Sequence, residues 1–319
     1  MIPAAGDGRQ NRRGLRRALV LQLPEAAAVT GLAFSEDGGS VLADVAGGRA
    51  RWWSATSGRM ERALLRHAGP RERLAVSRSG RVGVSGGGGL SAWLWRLPGA
   101  QRLRRFTVAR GEIRCLALSA AGELLAAGCE DGAIHVWDAR EGALCGTLRA
   151  HCGPVTALAY AGDRLLSAGA DGALLAWDAR THARRQSMAH GGPVRGMAVS
   201  GDGARVAAVA TAGGPLAVWE VATGRRAWAC SGVGGSPVGA IALDAGGSAL
   251  AAGHADGAVR IWSAGAGGAT CVGSARLGQP LSALAFSPDG ARLAAGGVGG
   301  RIAIWDICGA HQPQALERG

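Results

Sequence analysis

No lysine occurs among the 319 residues, and Asn11 is the only asparagine. Without lysine there is no Walker-type phosphate-binding lysine, no Schiff-base lysine and no lysine general base, which excludes most cofactor-dependent enzyme classes built on those groups. Aromatics are scarce too, with one Tyr and three Phe beside ten Trp. The seven cysteines (Cys115, Cys129, Cys145, Cys152, Cys230, Cys271 and Cys308) form no C-x-x-C pair, so neither a zinc site nor a redox motif is expected. They read as free thiols, mostly buried, in a reducing compartment. No apolar run approaches the ~20 residues that span a bilayer, and no membrane association is expected.

What is present is 48% apolar residues, enough for a sizeable core and too many for global disorder. All 35 basic residues are arginine, and the formal charge is +12. With 55 glycines and abundant alanine, this looks like the codon bias of a GC-rich genome, which weakens net charge as evidence for an anionic partner.

The decisive feature is a repeat. Trp53, Trp95, Trp137, Trp177, Trp219, Trp262 and Trp305 are separated by 42, 42, 40, 42, 43 and 43 residues. Apolar residues alternate before each Trp, as in Ala133-Ile134-His135-Val136-Trp137, which predicts a strand with one buried face. Another apolar strand precedes it, then a turn such as Ser35-Glu36-Asp37-Gly38 or Ser287-Pro288-Asp289-Gly290, then a further strand such as Leu281–Phe286. The shortened turn Tyr160-Ala161-Gly162-Asp163 accounts for the single 40-residue gap. Nothing in the repeat reads as a helix.

These residues resemble the WD-repeat family over about residues 17–308. The Trp-Asp dipeptide stands at Trp137-Asp138, Trp177-Asp178 and Trp305-Asp306, and drifts at Trp53-Ser54, Trp95-Arg96, Trp219-Glu220 and Trp262-Ser263. The resemblance implies an all-β, seven-bladed propeller of four-stranded antiparallel sheets. The last repeat stops after its third strand, near Ile307-Cys308. Arg17–Leu23 lies 126 residues before Ala143–Arg149, an outer strand, so it is expected to supply the missing strand of the last blade and protect its edge. That reading turns Leu19-Val20-Leu21, which follows an Arg-rich start like a signal peptide, into strand. The expected organisation is a basic tail (1–16), the propeller (17–308) and a short tail (309–319).

His151, Ser167 and Asp171 suggest a hydrolase triad. In the family the matching positions, with Trp177, form a buried structural tetrad in which the histidine bridges aspartate and serine. Repeat two keeps His67, Ser85 and Trp95 but has Gly89 for the aspartate; repeat three keeps Asp131 and Trp137 but offers Ala109 and Ala127; repeat five has His190 with no aspartate. Erosion of that kind points to scaffolding rather than to an active site. Gly83-Val84-Ser85-Gly86-Gly87 matches G-x-S-x-G, but that elbow needs a strand followed by a helix, and here two strands flank it. No catalytic residues, metal ligands or cofactors are expected.

The expected function is therefore a non-catalytic scaffold for protein partners, in cytosol or nucleus, the latter from the free cysteines and the lack of an export signal. One alternative rests on Trp137-Asp138-Ala139-Arg140 and Trp177-Asp178-Ala179-Arg180. Consecutive copies resemble the motif by which WD-repeat substrate receptors meet the cullin-4 ligase adaptor, making Arg140 and Arg180 candidate partner-binding residues. Another is an RNA- or ribosome-biogenesis-associated scaffold that uses the Arg-rich surface and the tail Arg9–Arg17. Trp52, Trp93 and Trp228 are either packed between blades or exposed as partner anchors.

Overall fold

Each period folds as four antiparallel strands, and seven such sheets form a ring in this computed structural model, which describes residues 14–23, 27–47, 49–64, 73–77, 80–97, 101–211, 216–230, 235–265 and 268–308. No helix occurs among the described residues. Strands within a blade are lettered a to d in order from the channel outward. Blade 1 extends from Val29 to Leu64, blade 2 from Arg73 to Thr107 and blade 3 from Ile113 to Arg149; blade 4 extends from Val155 to Ala189, blade 5 from Val194 to Cys230 and blade 6 from Val238 to Arg276. The a strands neighbour one another around the central channel, and blade 7 neighbours blade 1.

Burial within each blade peaks at strand b and is least in strand d, and the composition follows it. Strand b lies between sheets on both faces and is nearly all buried, as in Leu124–Cys129 and Arg292–Gly297. Its alanines and glycines leave room for the neighbouring sheets, which stack about 10 Å away. Strand d is mostly exposed in blades 2, 3 and 4, with one buried residue in each: Phe106, Leu148 and Met188. The seven repeat tryptophans are 1–7% exposed, so all belong to the core. That core is a series of layers between blades. Leu94 and Phe106 of blade 2, for example, pack with Ile113, Leu125 and Trp137 of blade 3.

The ring is closed by the chain's own N-terminal strand. Blade 7 contains Leu281–Phe286, Arg292–Gly297 and Arg301–Cys308, and its d strand is Gly14–Gln22, paired at eight positions with strand c. In every blade the c–d register shifts at the repeat Trp, and the closing strand shows the same shift, between Arg17 and Leu19. It is therefore bent like the strands it imitates. Two details correct the sequence reading. The strand starts at Gly14 rather than Arg17. In addition, Arg17 pairs opposite Trp305 as Leu144 pairs opposite Trp137, so the spatial offset is 127 residues, not 126. One residue decides which side chains face inward. In the observed register Leu21 and Leu23 are buried, while Val20 is 46% exposed.

Blades 7 and 1 are stapled further by polar contacts. The Arg292 guanidinium donates to the carbonyl oxygens of Gly38 (2.7 Å) and Ala55 (3.3 Å), and Ser282 Oγ donates to Val29 O (2.6 Å). The arginine that opens strand b does the same elsewhere, Arg164 reaching Val221 O and Arg205 reaching Gly247 O.

Candidate functional site

The polar constellation of repeat four is assembled from four places in and just before blade 4. His151 precedes strand a, Ser167 lies in strand b, Asp171 occupies the b–c turn and Trp177 lies in strand c. Trp177 Nε1–H donates to Ser167 Oγ (3.1 Å), Ser167 Oγ lies 2.9 Å from His151 Nε2, and His151 Nδ1 lies 3.0 Å from Asp171 Oδ1. Asp171 also accepts the backbone N–H groups of Cys152 and Ala173. As a carboxylate it can only accept, so His151 carries its proton on Nδ1, and Ser167 donates its hydroxyl hydrogen to Nε2. Burial pushes the His151 imidazole below its usual range, outweighing the pull of Asp171. Burial pushes Asp171 up, but its two backbone donors and His151 outweigh that and hold it low. Gly169 makes the approach possible, since a Cβ there would collide with the His151 ring and the Asp171 carboxylate.

The same geometry bears on catalysis. Ser167 has no exposed surface, and its oxygen is bonded on both sides. A serine nucleophile needs one open approach, and this oxygen has none. Across the other blades the constellation is partial. Trp95 Nε1–H donates to Ser85 Oγ at 2.7 Å, with Ser85 buried in a strand–strand segment; His67 lies outside the described residues. In blade 3 Asp131 accepts Ala133 N–H, but the matching histidine and serine positions hold Ala109 and Ala127. His190 bonds Ala208 O and tilts against Trp219. Two further histidines were not singled out in the sequence. His254 has no exposed surface and bonds Ser236 O, and His135 stacks on Trp137. Among the described residues, no group of three His, Cys, Asp or Glu is placed to hold a metal ion.

The family described as "WD domain, G-beta repeat" matches residues 100–138, 142–178, 228–263 and 270–306. Each matched span takes in the d strand of one blade and the first three strands of the next. The chain is a WD40-repeat β-propeller. The one-strand offset between repeat and blade is why the ring of a WD40 propeller needs an N-terminal strand to close it. Two solved structures share the fold. The structure titled "Crystal structure of RRP9 WD40 repeats" is 20% identical, with TM-score 0.80, covering 92% of this chain and 99% of that one. A chain of "Crystal Structure of Mitotic Checkpoint Complex" is 24% identical, with TM-score 0.78, covering 96% of each. Comparison with curated proteins finds no match.

In this WD40 propeller the aspartates of two Trp-Asp dipeptides have a local task. Asp138 Oδ1 accepts the N–H groups of Arg140 and Glu141, and Asp178 Oδ1 accepts those of Arg180 and Thr181, fixing the c–d turns. Thr181's backbone and the Arg185 guanidinium hold the Asp178 carboxyl well below its usual range. Asp306 is exposed at the matching place in blade 7. Arg140 and Arg180 thus leave rigid turns on adjacent blades. Both are exposed, and the Arg140 side chain is 80% exposed, 4.0 Å from Glu123.

The same rim surrounds one mouth of the central channel, a cavity of about 740 Å³. Near the end of every a strand an apolar or aromatic residue lines it, from Phe34 in blade 1 through Tyr160, one residue before the strand end in blade 4, to Phe286 in blade 7. The Tyr160 hydroxyl is buried without a partner, and burial raises its pKa. The near-42-residue spacing of these residues was a signal available in the sequence. Trp52 and Trp93 are half-buried and pack with Trp95 between blades 1 and 2, whereas Trp53, on the opposite face, packs against blade 7. Trp228 packs between blades 5 and 6.

Proposed function

We propose that this WD40 propeller is a non-catalytic scaffold that holds protein partners in a multiprotein complex. The observation that carries this reading is the division of labour in blades 3 and 4. The reactive-looking side chains are walled inside blade 4, with Ser167 fully buried, while the c–d turns present exposed arginines on a rigid frame. A rigid platform whose rim carries variable side chains binds without reacting. Free thiols at Cys129 and Cys230 in the core support a reducing compartment, cytosol or nucleus.

A narrower reading is favoured by Arg140 and Arg180 specifically. Equivalent arginines on neighbouring blades, each on a turn fixed by an Asp, suit bidentate contacts with a carboxylate-bearing partner, here the adaptor of a cullin-4 ligase. A quantitative pull-down with mass spectrometry, wild type beside Arg140→Ala/Arg180→Ala, tests both. Loss of the adaptor and cullin-4 from the double variant alone supports the receptor. An unchanged set of partners without ligase components leaves the scaffold and names its complex. No captured protein at all removes both readings.

A further inference from the structure

Charge is unevenly shared among the blades. From residue 73 to 111 there are eight arginines and no Asp or Glu, where 23 acidic residues in 319 would place about three. Codon bias explains arginine in place of lysine; it does not remove carboxylates. Three of these arginines, Arg102, Arg104 and Arg105, lie exposed on the d strand of blade 2, Gln101–Thr107. Among the described residues none of the three has a carboxylate within ion-pair distance.

Their partners are of another kind. The Arg102 guanidinium lies 4.8 Å from the centre of the Trp93 ring and 5.1 Å from that of Trp95, and Arg105 lies 5.5 Å from Trp93. Arg105 also donates to Ser91 Oγ, and Arg104 to Arg140 O of blade 3. The pairing explains the arrangement. Arg102 stands opposite Trp95 and Arg105 opposite Trp93, while the register shift places Arg104 opposite Leu94 on the other face. Cations thus flank both sides of one exposed edge, two of them held over the Trp93 indole.

We propose that the outer edge of blade 2 binds single-stranded nucleic acid. The arginines neutralise phosphates, and the indole-backed guanidinium planes stack on bases. An acidic peptide would satisfy the charge but brings no flat ring to those planes. The test is fluorescence anisotropy with a fluorescein-labelled oligouridylate between about 50 and 200 mM salt. Arg102→Ala/Arg104→Ala/Arg105→Ala is expected to bind roughly tenfold more weakly and to lower the salt slope by about 2. Arg184→Ala/Arg225→Ala/Arg226→Ala, which removes equal charge from blades 4 and 5, should stay within about twofold of wild type. Arg102→Lys/Arg105→Lys keeps the charge but loses stacking, so it should lose roughly fivefold at nearly unchanged slope. Equal losses in the two alanine variants, or full affinity in the lysine variant, would overturn the proposal. So would displacement of the probe by polyglutamate as readily as by unlabelled oligouridylate, which would assign the edge to an acidic protein.

Discussion

Replacing Leu21 or Val20 by alanine distinguishes the two registers available to the closing strand. Leu21 is 4% exposed and packs in the layer that holds Val29, Trp53 and Ile302, whereas Val20 is 46% exposed. A one-residue slip would exchange their faces. Truncating a buried leucine costs about 2–5 kcal/mol, and trimming an exposed valine costs about 0.5 kcal/mol or less. Unfolding entropy of ~2.1 cal/mol/K per residue means that each kcal/mol lowers Tm by about 1.5 °C in a chain of this length. Leu21→Ala is therefore expected to lower Tm by about 3–8 °C, and Val20→Ala by under about 1 °C. Thermal unfolding followed by circular dichroism reads both. Equal shifts, or a larger one for Val20→Ala, would refute the register and the 127-residue correspondence on which it rests.

Ser167→Ala leaves the buried His151 Nε2 and Trp177 Nε1 without partners, at about 1–3 kcal/mol for each orphaned group, and should lower the urea midpoint; an unchanged midpoint would show that the hydrogen-bond chain contributes nothing. Arg292→Ala removes two charge-assisted bonds between blades 7 and 1 and should destabilise by about 1–3 kcal/mol, whereas Arg301→Ala, on an exposed side chain in the same blade, should be near neutral by the same measurement. Burial holds His135, His151, His190 and His254 below the ordinary 6.5, so the folded chain binds fewer protons than the unfolded chain below that value. Stability is then complete above about pH 6.5 and declines as pH falls, while the lowered Asp171 adds its loss only below about pH 4. Tm should fall between about pH 7 and pH 5, and His254→Gln should flatten that slope; a flat wild-type profile would contradict the neutral buried histidines.

The local features of the repeat were legible because each is set within a few residues. Alternation before Trp137 specifies a half-buried strand. Ser35-Glu36-Asp37-Gly38 closes a hairpin in which Asp37 accepts Ser35 Oγ and Gly39 N. The same locality exposed Gly83–Gly86 as strand rather than nucleophile elbow, whereas the tetrad of His151, Ser167, Asp171 and Trp177 was implied by the resemblance to the WD-repeat family. Residues whose significance depends on a neighbouring blade were less visible. Nothing local to His254 distinguishes it from an exposed histidine; its burial follows from the sheets packed on either side.

The number of blades, the strands of each and the need for an N-terminal strand are written in the residues, because seven near-equal periods each encode one sheet and the last lacks its outer edge. The register of that strand is settled by packing, since pairing 126 or 127 residues apart differs by one step and the choice is made by which side chains fit between blades 7 and 1. Packing also decides where the arginines matter. Most are scattered along the chain by composition, but packing of Trp93 and Trp95 between two blades gathers Arg102 and Arg105 onto one exposed edge, a juxtaposition that exists only once the sheets are stacked.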